Sequence, residues 1–141
     1  MTVRLREMTL DDLPAVMVLE EELFAPDTWT RAMYRDELSQ RDTRHYLVAE
    51  DDAEDERAVV GYAGLIAYDD EAHVATIGVA AAAQGKGIGS LLLDALLAEA
   101  DRRSPVVLLE VRADNEPAQR LYTRLGFERT PCQNFASSFE P

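Results

Sequence analysis

The stretch AAAQGKGIGS, Ala81 to Ser90, sets three glycines and a lysine between the apolar run HVATIGVA and the leucine-rich LLLDALLAEADRR. A strand turning into a helix there presents free backbone N–H groups and the positive end of a helix dipole. Glycines let the main chain approach a ligand closely and adopt positive φ. Together these features make an anion site, most often for phosphate. Spacing excludes two phosphate motifs. The Walker pattern needs a glycine five positions before Gly85, where Ala80 stands, and a Ser or Thr after Lys86, where Gly87 stands. The dinucleotide fingerprint needs G-x-G-x-x-G, whereas Gly85, Gly87 and Gly89 are spaced G-x-G-x-G.

Two acid–base candidates lie downstream. Glu110 is the only charged residue in PVVLLEV, Pro105 to Val111. A carboxylate at the edge of a buried strand has its pKa raised by desolvation, which suits a general base near neutral pH. The alternative is a strand-end glutamate reaching water. Tyr122 falls on the apolar face of a helix with Ala118, Leu121 and Leu125. Its alternative is a core tyrosine whose hydroxyl finds a partner. His45 and His73 each begin an expected strand and read as structural or exposed. No Cys/His spacing suits a metal, and Cys132 has no histidine beside it, so no metal site is expected.

These groups need elements to hold them. TVRLREMT reads as a first strand. LDDLPAVMVLEEELF reads as an Asp-capped helix with Pro14 in its first turn and Leu13, Val16, Leu19 and Leu23 on one face. WTRAMYRDELSQ follows as a second helix, with Thr28 or Thr30 near its start. HYLVAED and RAVVGYAGLIAY read as an antiparallel pair, and HVATIGVA as the next strand. From Gly87 the period becomes helical, with Ile88, Leu91, Leu92, Ala95 and Leu96 on one face. PVVLLEV suits a strand buried on both sides. EPAQRLYTRLG reads as a last helix with Asn115 or Glu116 at its start and Gly126 past its end, and FERT begins a final strand. Strands alternating with helices in this order predict an α/β (α+β) domain around a central sheet.

The 141 residues and 47% hydrophobic content fit one globular domain with a real core. Twenty-seven acidic against 14 basic residues give a net charge of −13, which argues against a nucleic-acid partner and is compatible with a basic protein substrate. The acidity also serves solubility, and much of it sits in EDDAEDER, Glu50 to Arg57. The N-terminal stretch has no apolar h-region, apolar runs are too short for a membrane span, and the single cysteine makes no internal disulfide. A reduced, cytoplasmic protein is expected.

The run Gln84-Gly85-Lys86-Gly87-Ile88-Gly89 matches Q/R-x-x-G-x-G/A and resembles the pyrophosphate loop of the GNAT superfamily of acetyl-CoA-dependent N-acetyltransferases. The order of elements is similar as well. LEVRADNEPAQRLYTRLGFE, and LFAPDTWT between the first two helices, resemble the RimI-type ribosomal-protein N-α-acetyltransferases. The resemblance spans about residues 3 to 129. It implies a single GNAT-like domain over residues 1–131, with a mixed, mostly antiparallel twisted sheet of six or seven strands and about four helices. It implies acetyl-CoA as co-substrate, with its pyrophosphate on backbone N–H groups from Gln84 through Ser90 and the Lys86 side chain adding charge. Ile77, Gly78 and Val79 would lend main-chain groups to the pantetheine arm and polarise the thioester carbonyl, and Asn115 would contact the cofactor as well as cap its helix. By the same resemblance Glu110 is the general base and Tyr122 the acid that protonates the departing thiolate.

The tail, TPCQNFASSFEP, departs from that pattern. Relatives carry basic residues and paired tyrosines there and a further strand. Here Pro131 would interrupt a central strand, so residues 132–141 are an atypical tail, and a monomer and a strand-exchanged dimer stay open. The expected function is acetyl transfer to a protein N-terminal α-amine, a ribosomal protein among the acceptors, without nucleic acid or membrane. The competing readings are a GNAT acting on lysine or a small amine, and an acetyl-CoA-binding module with an incomplete acceptor groove.

Overall fold

The computed structural model describes residues 2–52, 58–112, 120, 122–124, 128–130 and 136–140. In chain order these form β1 (Val3–Glu7), α1 (Leu13–Phe24), α2 (Arg31–Ser39), β2 (Arg44–Asp51), β3 (Ala58–Ala67), β4 (Ala72–Val79), α3 (Ile88–Arg103), β5 (Val107–Arg112), β6 (Glu128–Thr130) and β7 (Ala136–Glu140). Residues 120 and 122–124 are also helical. One sheet holds all seven strands in the order β1-β2-β3-β4-β5-β7-β6. Every neighbouring pair is antiparallel except β4 and β5, which run parallel. This is the mixed, mostly antiparallel sheet expected from the sequence.

The period of two in β2 and β3 makes the sheet apolar on both sides. Tyr46, Val48 and Tyr62 pack with Met8, Leu13, Val16, Leu19 and Tyr34 beneath α1 and α2. The alternate residues Leu47, Ala49, Ala63 and Leu65 pack with Ile88, Leu92, Leu93, Leu96 and Ala100 of α3. Gly64 is glycine because a Cβ there would come within 2.3–2.7 Å of the Tyr46 ring.

Two local expectations are corrected. The buried stripe of α3 runs through Ile88, Leu92, Leu93, Leu96 and Ala100, while Leu91 is 42% exposed. Three consecutive leucines permit two registers of the apolar stripe, and packing against β3 selects the one centred on Leu92. Asp12 stands at the start of α1 but makes no side-chain cap. Its carboxylate instead accepts the Thr9 N–H at 2.8 Å and a fork from Arg6. Thr30 does cap α2, accepting the Met33 N–H at 3.1 Å.

The tail supplies β7, which enters the sheet between β5 and β6 of the same chain. Pro131 and Cys132 lie outside the described residues, as do Asn115 and most of the expected last helix.

Candidate active site

The sheet opens where β4 and β5 part. They pair only over Ala72–Val74 and Val107–Leu109. The register of β3 against β4 shifts at the same place, from Gly64↔Thr76 to Leu65↔Val74, leaving Ala75 as an extra residue. A bulge bends the strand that carries it. Beyond it, β4 stays on β3 through Val79, whereas β5 pairs on its other side with β7. The edge of β4 from Ala75 to Val79 is therefore left without a β5 partner. Glu110 is the first residue of β5 beyond the parallel pairing, at the vertex of this split, where its backbone is in register with Ser138.

The open edge leads into the glycine turn. Gly85 and Gly87 have φ of +80° and +83°, and a Cβ on either would meet nothing within 4 Å. Their requirement is thus conformational rather than steric, because this φ is unfavourable for any residue with a side chain. Gly87 is the residue before α3 and offers no side-chain cap. The first N–H groups of the helix, at Ile88, Gly89 and Ser90, therefore face outward without intrahelical acceptors. Two side chains hold the turn from behind. Gln84 donates its amide to the Val79 carbonyl at 3.0 Å, and Glu22 of α1 accepts the Ala81 N–H at 3.1 Å. Gln84 thus straps the loop to the end of β4, a task that spacing alone could not reveal.

A cavity of about 530 Å³ joins these parts. Ile77, Gly78, Val79, Gln84, Gly85, Gly87, Ile88, Gly89, Ser90 and Tyr122 all line it, so ten of the anticipated residues meet at one place. Lys86 belongs to the same loop without lining the cavity, and the side chain of Glu110 lies outside what is described. Leu23 and Phe24 from the end of α1, Ala83 and Arg124 also line it; none of these was foreseen as a site residue. Leu23 was legible only as part of the apolar face of α1. Among the described residues that line the cavity, Arg124 is the one charged side chain, although the chain carries 27 acidic residues. A concavity at a helix N-terminus with an arginine on its wall suits a ligand that carries phosphate.

Tyr122 is 3% exposed, and burial pushes its hydroxyl up to about 12. It therefore keeps its proton throughout the neutral range. Gly78 has a second role besides lining the slot. A Cβ there would lie 2.9 Å from Tyr62 Cζ, 3.0 Å from its hydroxyl and 3.1 Å from Leu23 Cδ1. The strand is glycine at this point so that α1 and β3 can close up beneath it. Among the described residues no cluster of three or more His, Cys, Asp or Glu could hold a metal ion, and no helix is long and apolar enough to cross a membrane.

A sheet split, a glycine turn at a helix N-terminus and a buried tyrosine thus share one cleft suited to a phosphate-bearing ligand. Comparison with known proteins assigns the class. Residues 13–127 match the acetyltransferase (GNAT) family. The chain is 39% identical over 134 residues to N-alpha-acetyltransferase RimI of Mycobacterium tuberculosis, covering 90% of this chain and 79% of that protein. It is 33% identical over 130 residues to the ribosomal protein bS18-alanine N-acetyltransferase of Salmonella typhimurium, covering 91% and 83%. The fold is shared with Arabidopsis thaliana NAA60 in complex with acetyl-CoA, at a TM-score of 0.87 and 18% identity over 99% of this chain and 98% of that one. The chain belongs to the GNAT family and is an acetyl-CoA-dependent N-acetyltransferase of RimI-like type.

Proposed function

We propose that the protein transfers the acetyl group of acetyl-CoA to the N-terminal α-amine of a protein, a basic ribosomal protein among its acceptors. The observation that carries this reading is the convergence of the β4 edge left without a β5 partner, the glycine turn and the protonated Tyr122 on one cavity. Relatives at 33–39% identity carry this activity in their names. A net charge of −13 favours encounter with a basic acceptor, which would be met in the cytoplasm.

In this reading acetyl-CoA supplies the activated acyl group, held by the N–H groups of Ile88 to Ser90 and by Arg124. The amine nitrogen forms the new C–N bond as the C–S bond breaks. Glu110, at the vertex of the split, takes the proton that the amine loses. Main-chain groups of Ile77 to Val79 polarise the carbonyl. Tyr122 donates its hydroxyl hydrogen to the sulfur. The departing thiolate, whose thiol has a pKa of about 8.5, is a weaker base than a tyrosinate at about 12, so complete proton transfer from Tyr122 is uphill. Its main contribution is a hydrogen bond that strengthens as charge develops on sulfur, in a buried site where such a bond is worth more than in water. An α-amine of pKa about 8 needs less help to become neutral than a lysine at about 10.4, so one carboxylate suffices as base.

The test is CoA release and mass spectrometry with acetyl-CoA and three acceptor sets: peptides with blocked lysines, peptides with blocked N-termini, and small amines. Acetylation of the blocked-lysine peptides at the α-amine is expected. Transfer only to lysine or small amines overturns the acceptor assignment, and cofactor binding without any transfer overturns the activity. Glu110→Gln should lower kcat by about 10²-fold or more with acetyl-CoA affinity little changed. Full turnover across pH in that variant would remove Glu110 from the mechanism.

A further inference from the structure

Four carboxylates are buried among the described residues: Asp12, Glu20, Glu50 and Glu99. Three meet arginines. Asp12 and Glu50 share Arg6, and Glu99 meets Arg102 and Arg103. Glu20, on α1, is the most buried of the four at 1% exposure and meets only neutral donors. Its Oε1 accepts the hydroxyls of Tyr34 and Tyr62, the latter at 3.0 Å, and its Oε2 accepts the Trp29 backbone N–H at 3.1 Å. Burying a carboxylate without a cation is costly, and an apolar trio could fill the same space. The arrangement gives geometry in return. One planar fork fixes a residue of β3, a residue of α2 and the segment between α1 and α2 against a single point on α1.

The hub reaches the cleft through β3 and through α1. Tyr62 lies directly under Gly78, one of the residues lining the cavity. Leu23 and Phe24, three and four positions after Glu20 and so on the same side of α1, line the cavity opposite β4. On the other side, Trp29 is pinned by its N–H, and its ring lies 5.2 Å from that of Tyr34. Glu20 therefore ties the α1 wall of the cleft, the Trp29 segment beside it and the β4 edge into one frame.

We propose that Glu20 is a positioning residue that holds the end of α1 and the Trp29 segment at a set distance from the open β4 edge, and so orients the incoming amine. This rests on the acceptor approaching along that wall, as in the function proposed above. Glu20 touches no reacting atom, and its effect is transmitted through Tyr62, Leu23 and Phe24.

The test varies acetyl-CoA and a lysine-blocked peptide independently in wild type, Glu20→Gln and Tyr62→Phe. Gln keeps the shape but turns one acceptor into a donor, which cannot face the Trp29 N–H and both hydroxyl hydrogens together. In Glu20→Gln, kcat/KM for the peptide should fall by about ten- to a hundredfold, the cost of a misplaced reactant, with KM for acetyl-CoA within about twofold. Tyr62→Phe, which loses one of the three bonds, should fall between. Trp29 is the only tryptophan of the chain. Its emission should shift to the red in Glu20→Gln as its segment loosens, whichever amine the enzyme uses. A variant that loses only thermal stability, or whose peptide and acetyl-CoA constants move together, overturns the proposal. So does an unchanged Trp29 spectrum. A wild-type enzyme that ignores peptides but acetylates another amine refutes the acceptor assignment alone, and the same kinetic split on that amine still decides the role of Glu20.

Discussion

Replacing Gly78 with alanine perturbs the cleft by a single methyl group. The added Cβ would lie 2.9 Å from Tyr62 Cζ, 3.0 Å from its hydroxyl and 3.1 Å from Leu23 Cδ1. Comfortable carbon contacts are about 3.5–4.0 Å, so at least one neighbour must retreat by roughly 0.5–1 Å. Tyr62 cannot swing freely, because Glu20 holds its hydroxyl at 3.0 Å and Tyr34 packs against its ring at a centroid distance of 6.4 Å. The strain is shared between that hub and the β4 edge. Overpacking of this kind costs about 1–3 kcal/mol. For a chain of this size that lowers Tm by roughly 3–10 °C, read by thermal melting. A β4 edge displaced by part of an ångström also misaligns the thioester, so kcat/KM for acetyl-CoA should fall about tenfold, read from initial rates. A double-mutant cycle isolates the contact. Tyr62→Leu removes both Cζ and the hydroxyl, so the penalty of Gly78→Ala should shrink by about 1 kcal/mol or more in that background. Strict additivity, or a Gly78→Ala enzyme with wild-type Tm and rate, would refute this account of why the strand carries a glycine.

Further expectations concern chemistry, cofactor charge and pH. Tyr122→Phe should lower kcat by roughly 100-fold with acetyl-CoA. An acetyl thioester of an acidic aromatic thiol, whose thiolate needs no proton, should recover most of that loss, and equal loss with both donors would exclude a role at sulfur. Arg124→Ala should raise KM for acetyl-CoA about two- to fivefold, the scale of an exposed ion pair, and leave KM for S-acetylpantetheine unchanged; equal shifts for both donors would remove Arg124 from phosphate binding. Stability should fall with acid in two stages. Burial, with nearby Arg103, lowers the His45 pKa below its ordinary value of 6.5 despite the opposing charge of Glu7, so the unfolded chain binds the extra proton first and stability is lost as pH falls through about 6.5. For Asp12 burial works to raise the pKa, yet the hydrogen bonds from Arg6 and the Thr9 N–H outweigh it and hold the carboxyl below its ordinary value of 3.8. Its contribution is present above the unfolded pKa of about 3.9 and disappears at lower pH. His45→Gln should flatten the Tm profile between pH 7 and 5 and leave the steeper loss below pH 4; a wild-type slope in that variant would exclude His45.

Much of the fold was open to reading because its signals are local. The alternation in RHYLVAED and AVVGYAGLIA follows from the two-residue period of a strand, and Thr30, Pro14 and the glycines after Val79 mark helix starts by backbone chemistry that needs no neighbours. The glycine turn was likewise legible: six of the ten anticipated residues that line the cavity, Gln84, Gly85 and Gly87 to Ser90, belong to one stretch of main chain at a helix N-terminus. The register of the LLL run was not, since the stripe through Leu91 and the stripe through Leu93 are equally apolar until β3 chooses between them. Nor was β7: ASSFE is short and mostly polar, and it is a strand because it pairs with β5, on the edge opposite β4, and with β6.

By itself, then, the sequence determined most of the elements and the glycine turn before α3, consequences of residues near one another in the chain, and it named Glu110 and Tyr122 as candidates for proton transfer. Tertiary structure decided where the sheet splits, that Arg6 rather than the helix claims Asp12, and that Glu20 gathers Trp29, Tyr34 and Tyr62 beneath Gly78. Those arrangements join residues far apart in the chain, as Glu20 and Tyr62 are, 42 positions from one another. Desolvation and steric fit select such partners only once the layers have closed on one another, and periodicity carries no information about either.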